Sequence, residues 1–314
     1  MAITLSFLRR LAANSDDLGL GTRDGPSRGV NKDGSFNLRR TGMPRFRPYE
    51  LYHQLITMSA PRFTLMLLAG NILANLVFAG LYLAVGMEHF DRAGGPDLLS
   101  RFRDAFFFST QTLTTVGNGQ IHPVSALASS VAALESLVGL MGFALACGLL
   151  YGRFSRPHAR ILFSHRAVLA PYRDMTAFMF RIVNERSNQL IELEAHVTLS
   201  LRDPESGVHV FTSLALERNR INLFPSNWTI VHPIDPDSPL AGMSAEDLRE
   251  ADAEFIVLIK AFDDTFAQNV YARSSYKADE LAWGRRFVPM VSPRDASGMA
   301  TLDLSLLDAL EPPA

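Results

Sequence analysis

The sequence has one cysteine in 314 residues, Cys147, so no disulfide bond can form within the chain. This argues against a small secreted protein held together by disulfides. The formal net charge is only −2, which excludes the strongly basic surface typical of nucleic-acid-binding proteins. No cleavable signal peptide is expected. The apolar run at residues 5–8 is too short, and Arg9 and Arg10 follow it instead of preceding it.

Long hydrophobic runs, by contrast, are present. Hydrophobic residues make up 47% of the chain and are concentrated in its first half. Two runs, at about residues 62–87 and 124–151, are each long enough to cross a hydrocarbon layer of roughly 30 Å. Between them, residues 97–114 have a helical pattern that is too short and too charged at its start to span. The predicted membrane module therefore has two spans and a re-entrant helix.

The re-entrant segment ends in Thr-Val-Gly-Asn-Gly at residues 115–119. An irregular loop can lie at membrane depth only if it is buried in protein or lines a watery path. There its carbonyl groups can replace the water shell of a cation, and the helix C-terminus adds partial negative charge. A dinucleotide-binding loop would need a preceding strand and a third glycine, but His122 stands at that position. The spacing favours an ion pore.

Polar residues within the spans are few. Asn71 and Asn75 are one helical turn apart and are expected to face protein, since lipid-facing amides are costly. Glu135 lies in the half of the second span nearer the loop, so we expect it behind the loop and not against lipid. Three residues at i, i+4 and i+8 spacing either line the pore or pack between helices: Phe143, Cys147 and Tyr151.

The regions outside the membrane are predicted from charge and periodicity. Residues 48–59 are typical of an amphipathic helix in the headgroup plane. Arginine is enriched beside the inner ends of both spans, which places both termini in the cytosol and offers charge to anionic lipid: Arg45, Arg47, Arg153, Arg156 and Arg160. Short apolar runs separated by turn residues predict a β-sandwich over residues 166–292. This region has no catalytic or metal-ligand spacing, so no enzyme activity and no cofactor are expected.

Motifs on both sides of the pore loop, from about residue 48 to residue 291, resemble the prokaryotic inward-rectifier potassium channels of the KirBac type. Residues 51–59 are similar to the family's interfacial helix, and residues 135–139 and 153–157 to its inner helix and the exit from it. Residues 162–168 are similar to the start of its cytosolic domain. Motifs of its sandwich are matched in order by residues 224–235, 237–240, 272–276, 283–284 and 286–287.

The resemblance implies an α+β membrane protein that forms a homotetramer around one pore, with a cytosolic immunoglobulin-like β-sandwich. It implies a localisation in the bacterial inner membrane. The expected division is a mobile tail (1–40), an interfacial helix (41–60), a pore module (61–152), a linker (153–165), the sandwich (166–292) and a C-terminal tail (293–314).

Residue roles follow from the same resemblance. The selectivity filter falls on Thr115, Val116, Gly117, Asn118 and Gly119, with K⁺ held by main-chain carbonyls of the first three. Phe143 falls where strongly rectifying relatives carry an acid, so weak block by Mg²⁺ or polyamines is expected. Tyr151 falls on the ring that closes the pore. Gln111 and Glu135 are expected to support the filter. Arg153 and Arg156 fall in the linker that engages anionic lipid.

Two departures from the family pattern concern the filter. Asn118 replaces an aromatic residue that normally packs into the wall behind the filter, and Gln111 replaces the usual glutamate. The main hypothesis is thus a gated, K⁺-conducting tetrameric channel modulated by anionic lipid and the cytosolic domain. One alternative is a weakly selective Na⁺/K⁺ channel. Another is a non-conducting membrane-anchored binding or signalling protein. A transporter is disfavoured by two spans without an internal repeat.

Overall fold

The computed structural model describes residues 28–39, 41–42, 50–155, 160–186, 188–204, 206–224 and 227–312. The chain divides into two compact units. Residues 43–156 form a helical unit, and residues 1–42 together with 157–314 form a β-rich unit. The predicted roles of Arg45, Arg47 and Arg156, and the prediction of a mobile tail at residues 1–27, fall outside the described residues.

The described part of the helical unit contains four α-helices: α1 (Leu51–Thr57), α2 (Ala60–Val85), α3 (Leu98–Leu113) and α4 (Ala126–Phe154). Both α2 and α4 are long and apolar enough to cross a membrane. Local signals set their starts. Pro61 lies in the first turn of α2, where N–H groups have no partner within the helix, so the missing N–H of proline is tolerated. Asp97 caps α3 by accepting from the Ser100 N–H, and Ser125 caps α4 by accepting from the Ala128 N–H.

Aromatic packing holds the outer ends of these helices together. Tyr82 of α2, Phe108 of α3 and Phe90 form a triad with ring centroids 5.0 to 5.3 Å apart in edge-to-face geometry. Phe90 belongs to a two-residue strand, β1 (Phe90–Asp91), which pairs antiparallel with β2 (His122–Pro123). The segment after α3 is thereby joined to the segment before it, and α3 with its following loop forms a closed re-entrant element.

The β-rich unit is a sandwich of two mainly antiparallel sheets. One sheet has the strand order β11 (Gln268–Lys277), β10 (Glu254–Asp263), β6 (Leu190–Arg202) and β7 (His209–Ser213), and β8 (Arg220–Leu223) also pairs with β6. The other orders β12 (Leu281–Trp283), β4 (Ala167–Tyr172), β5 (Met175–Asn184) and β3 (Ile161–Phe163), with β9 (Asn227–Ile234) on β5. Among the described residues of this unit, the α-helix α5 (Ala245–Glu250) is held by a capping box between Ser244 and Asp247.

Alternating inward residues of both sheets fill the core of the sandwich. Phe178 of β5 stacks on Phe255 of β10 with ring centroids 4.3 Å apart. Tyr276 of β11 is fully buried beside them and donates its hydroxyl to the Ser164 carbonyl. The predicted sandwich is therefore present, but it begins at Ile161, five residues before the expected boundary.

Residues 28–39 differ from the predicted mobile tail, because they pack on the sandwich. The buried carboxylate of Glu254 accepts the main-chain N–H groups of Gly29 and Val30 at 2.8 to 3.0 Å. Arg28 pairs with both carboxylate oxygens of Glu280, at 3.0 and 2.6 Å. Val30 is 1% exposed. Lys32 lies over the Tyr276 ring, 3.7 Å from its centroid. Hydrogen bonds and burial fix this segment even though its composition is polar.

The predicted C-terminal tail also differs from the structure over residues 293–312. Leu302 forms a β-bridge with Val291, and Leu310 with Phe287. Leu307 is buried in a small cluster with Met290 and Val183 of β5. The β-rich unit therefore includes two segments that lie outside the predicted boundaries of 166–292.

Candidate pore site

The loop after α3 folds back onto the end of that helix. The N–H groups of Val116 and Gly117 both donate to the Gln111 carbonyl, at 2.9 and 3.3 Å, and the Thr115 N–H donates to Thr112. In the described part of the chain, no hydrogen bond ends on a main-chain carbonyl of residues 115–119. The N–H side of the loop is thus turned to the helix, and its carbonyl oxygens are left for another ligand.

Backbone handedness alternates along the same loop. Thr115, Gly117 and Gly119 have φ values of +61°, +53° and +73°, whereas Val116 and Asn118 have negative φ. When left- and right-handed residues alternate, successive N–H groups turn to one side and the carbonyl groups to the other. A row of carbonyl oxygens is the ligand set that cation filters use in place of water. Glycine suits two of the three left-handed positions because it has no Cβ.

Glu135 lies at the centre of a buried polar cluster that joins three helices. Its carboxyl group is hydrogen-bonded to the Tyr82 hydroxyl of α2 and, at 2.5 Å, to the Ser109 hydroxyl of α3. Ser109 Oγ is also 3.1 Å from Asn75 Oδ1, and Asn75 Nδ2 donates to the Asn71 carbonyl at 2.8 Å. Glu135, Ser109 and Tyr82 have no exposed surface. The carboxyl group therefore reaches α3 one turn before the loop begins.

A glycine brings α4 against the end of α3. A Cβ placed on Gly139 would lie 2.1 Å from the Leu113 carbonyl oxygen and 2.9 Å from its carbon. Leu113 is the last residue of α3, two positions before Thr115. Only glycine permits this approach, so the base of the loop is positioned directly by the α4 backbone.

The inner end of α4 contacts the short helix α1. Arg153 Nη1 donates to the carbonyl groups of Leu55 and Met58, at 3.0 and 2.7 Å, and the guanidinium lies 4.6 Å from the Phe63 ring centroid. The Tyr52 hydroxyl would lie 2.7 Å from a Cβ on Gly152. A cation at the C-terminal carbonyls of α1 is favourable for the helix dipole. Arg153 thus couples α1 to α4.

Comparison with known proteins supplies the family. A model described as the inward rectifier potassium channel C-terminal domain matches residues 161–311, and an ion channel model matches residues 72–155. Inward rectifier potassium channel Kirbac3.1 of Paramagnetospirillum magnetotacticum is 38% identical over 280 residues, which cover 88% of this chain and 92% of that protein. The chain belongs to the inward rectifier potassium channel family.

More distant members of this family also match. ATP-sensitive inward rectifier potassium channel 12 of Gallus gallus is 30% identical over 84% of this chain and 67% of its own length. Inward rectifier potassium channel 4 of Homo sapiens is 30% identical over 73% and 60%, respectively. Among solved structures, Pseudomonas fluorescens alkylpurine DNA glycosylase AlkC bound to DNA matches with a TM-score of 0.20 and 11% identity, over 59% of this chain and 48% of that one. That likeness is too low to bear on the fold.

Family membership confirms the predicted class of protein. The matched families are ion channels and not enzymes. The two apolar helices, the re-entrant α3 and the β-sandwich are those expected of the inward rectifier potassium channel family. The boundary of the C-terminal family model at residue 161 agrees with the start of β3.

The structure places the predicted site residues in four groups. Residues 115–119 form the loop, with Val116 63% exposed within one subunit. Gln111 supports the loop through its main-chain carbonyl, and Glu135 binds Ser109, not Gln111. Phe143, Cys147 and Tyr151 are all exposed on α4. Arg160 pairs with Glu185 at 3.4 Å within the β-rich unit.

Four residues of the site were not predicted to bear on it: Tyr82, Ser109, Leu113 and Gly139. Tyr82 and Ser109 are ordinary residues for such helices, and no sequence signal marks them. Asn75 is 2% exposed, as expected for an amide that faces protein, but Asn71 is exposed within one subunit.

Proposed function

We propose that four copies of the chain form a K⁺-conducting channel whose filter is the loop at residues 115–119. One observation carries the proposal. The alternating backbone of Thr115, Val116 and Gly117 leaves their carbonyl groups without hydrogen bonds to any described residue, while their N–H groups are held on α3. Four such loops around one axis would supply rings of carbonyl oxygens for a dehydrated cation. In this proposal K⁺ is the permeant ion, and the channel needs no cofactor.

A flux measurement tests conduction. The purified protein in liposomes is expected to release or take up K⁺ down its gradient. Gly117→Val is expected to abolish the flux, because a β-branched residue is strained at a φ of +53°. Gly142→Ala is the matched control, since a Cβ there meets nothing within 4 Å in the same subunit. Absence of flux from the unaltered protein would instead favour a non-conducting, membrane-anchored binding protein.

Selectivity of the channel for K⁺ over Na⁺ is a separate proposal. Asn118 and Gly119 make no main-chain N–H hydrogen bond among the described residues, unlike Val116 and Gly117. This favours a filter with a fixed inner half and a freer outer half, which discriminates K⁺ from Na⁺ less well than a filter with an aromatic residue at position 118. Bi-ionic reversal potentials test this: Asn118→Tyr is expected to shift the potential towards that of K⁺. A reversal potential near the K⁺ equilibrium value in the unaltered channel would contradict it.

We further propose that the channel closes at the inner end of α4. Phe143, Cys147 and Tyr151 would line the path there, with Tyr151 as the bulky ring at the cytosolic end. Tyr151 is 75% exposed within one subunit, which leaves it available to the tetramer axis. Tyr151→Ala is expected to raise the open probability in single-channel recordings. An unchanged open probability would remove Tyr151 from the gate.

Anionic lipid is proposed to bind at the inner arginines. Kirbac3.1 is a bacterial relative, so we place the channel in a bacterial inner membrane with both termini in the cytosol. Arg45, Arg47 and Arg156 would contribute charge at the headgroup level, with Arg160 at the start of the sandwich. Nη1 of Arg153 is already occupied by two α1 carbonyls, so its remaining N–H groups would contact phosphate. Flux in vesicles with and without anionic lipid tests this interaction.

A further inference from the structure

The polar cluster behind the pore loop contains a carboxyl group whose hydrogen bonds can be counted. Three close contacts between side-chain oxygens run through it: Tyr82 to Glu135 Oε2, Ser109 to Glu135 Oε1, and Ser109 to Asn75 Oδ1. Ser109 Oγ also lies 3.3 Å from the Asn75 main-chain carbonyl oxygen, a second acceptor on the Asn75 side. Each of the three side-chain contacts needs one proton. The two hydroxyl groups supply only two, so one contact lacks a proton if Glu135 is ionised.

The orientation of the Asn75 amide excludes the possibility that Asn75 donates a hydrogen bond to Ser109. If the amide were turned over, its NH₂ group could donate to Ser109 and the count would change. Nδ2, however, lies 2.8 Å from the Asn71 carbonyl oxygen, which can only accept. The reversed amide would set two acceptor oxygens against each other there. Asn75 Oδ1 therefore faces Ser109, and the Ser109 hydroxyl has an acceptor on that side.

The burial of Glu135 without a cationic partner independently argues against an ionised carboxylate. Glu135 is 0% exposed within a single subunit, so water, lipid and a neighbouring copy cannot reach its oxygens. Within the described ranges, no Lys, Arg or His forms an ion pair with it. An ionised carboxylate buried without a cation is strongly unfavourable, and most of all in a membrane span.

We infer that Glu135 is a neutral carboxylic acid whose own proton ties α4 to the pore-loop helix α3. In this arrangement Glu135 Oε1–H donates to Ser109, Ser109 donates to Asn75 Oδ1, and Tyr82 donates to Glu135 Oε2. Each of the three side-chain contacts then has one proton, and the Ser109 hydroxyl faces both Asn75 oxygens. Glu135 is a positioning residue, because it acts through Ser109 on the last turn of α3, where the Gln111 carbonyl holds the loop.

The inference predicts which substitutions the site tolerates. Glu135→Gln has a donor for Ser109 and an acceptor for Tyr82, so it can reproduce the neutral acid but not a carboxylate. We expect it to keep K⁺ flux within about twofold of the unaltered channel. Glu135→Leu leaves the Tyr82 hydroxyl without its acceptor and Ser109 without a donor from α4, so it is expected to lower flux by roughly tenfold or more, as for loss of buried hydrogen-bond partners. The flux measurements rest on the proposed function.

Infrared spectroscopy tests the proton directly and does not depend on conduction. The full-length protein in liposomes is expected to show the carbonyl band of a protonated carboxylic acid that is missing from Glu135→Gln. If the difference spectrum contains carboxylate bands instead, the inference is wrong whatever the flux. Equal damage by Glu135→Gln and Glu135→Leu would also overturn it. If the unaltered protein carries no flux but shows the acid band, the proposed function fails and the inference stands.

Discussion

The contact between Gly139 and the end of α3 allows the effect of a substitution to be estimated from the geometry. Gly139→Ala adds one methyl group that would lie 2.1 Å from the Leu113 carbonyl oxygen, whereas real Cβ contacts are essentially never closer than 3.0 Å. The two backbones must therefore separate by about 0.9 Å. Neither partner is a flexible side chain, so the shift falls on the helices themselves.

Both stability and conduction are expected to change. Forcing an extra methyl group into a packed contact costs about 1–3 kcal/mol in each subunit. The displaced residue lies two positions before Thr115, and binding sites tolerate misplacement of only about 0.5 Å. We therefore expect Gly139→Ala to weaken the discrimination of K⁺ from Na⁺, or to abolish flux, in protein that still assembles.

Two other alanine substitutions on α4 serve as matched controls. Gly142→Ala and Gly148→Ala make the same chemical change on the same helix, but their Cβ atoms meet nothing within 4 Å in one subunit. Each is expected to be neutral or to stabilise the helix by roughly 0.5–1 kcal/mol. The assay is the bi-ionic reversal potential together with the melting temperature of the purified protein. Wild-type values of both for Gly139→Ala would refute the reasoning.

Three further predictions concern the inner half of the channel and the sandwich. Arg153→Met removes two hydrogen bonds to α1, so amide hydrogen exchange at residues 51–58 should rise on the order of tenfold; unchanged exchange would contradict the coupling. Phe143→Asp should introduce steep, voltage-dependent polyamine block that the unaltered channel lacks, and steep block before the substitution would contradict this. Burial lowers the pKa of Lys32 from 10.5 to about 8 against the attraction of Glu280. The unfolded chain then binds this proton more tightly, so sandwich stability should rise from about pH 8 to about pH 10.5. Lys32→Met should flatten that rise in urea melts followed by tryptophan fluorescence, since both tryptophans lie in the sandwich, and an equal rise would disprove it.

The membrane architecture could be predicted from the sequence because its signals are local. The length of each apolar run decides whether a helix can span, and the charges beside the runs decide orientation. The loop at 115–119 was found in the same way, from two glycines at a fixed place between two spans. Each span is identified from fewer than 30 consecutive residues.

The supports of the loop could not be predicted in this way, because they depend on contacts between distant residues. Ser109 and Glu135 are 26 positions apart, and Tyr82 and Glu135 are 53 apart. Ser109 and Tyr82 are ordinary residues for such helices, and nothing in their sequence neighbourhood indicates a partner. The cost of an ionisable group in a membrane span predicted that Glu135 faces protein, but not which groups it would meet.

The segment at residues 28–39 shows the same limit from the opposite direction. Its polar composition is typical of a disordered tail. Its order comes from Glu254 and Glu280, which are more than 200 positions away and bind its main-chain N–H groups and Arg28. A single apolar residue, Val30, is buried there. A polar composition predicts disorder because such a segment has little apolar surface to bury. The prediction fails for residues 28–39 because hydrogen bonds to charged groups stabilise the segment instead.

The departure at Asn118 has a clearer meaning once these supports are known. The inner half of the loop is held by Gln111 through the N–H groups of Val116 and Gly117, and α3 is held in turn by Glu135 and Gly139. None of these supports depends on the residue at position 118. After Gly117, the next main-chain support among the described residues is the pairing of His122 with Asp91. In the proposed channel, loss of an aromatic residue at 118 would therefore leave the inner carbonyl rings in place and free the outer ones. We expect a cation still to be dehydrated at Thr115 and Val116, so that K⁺ conduction is kept while the discrimination against Na⁺ is weakened on the outer side.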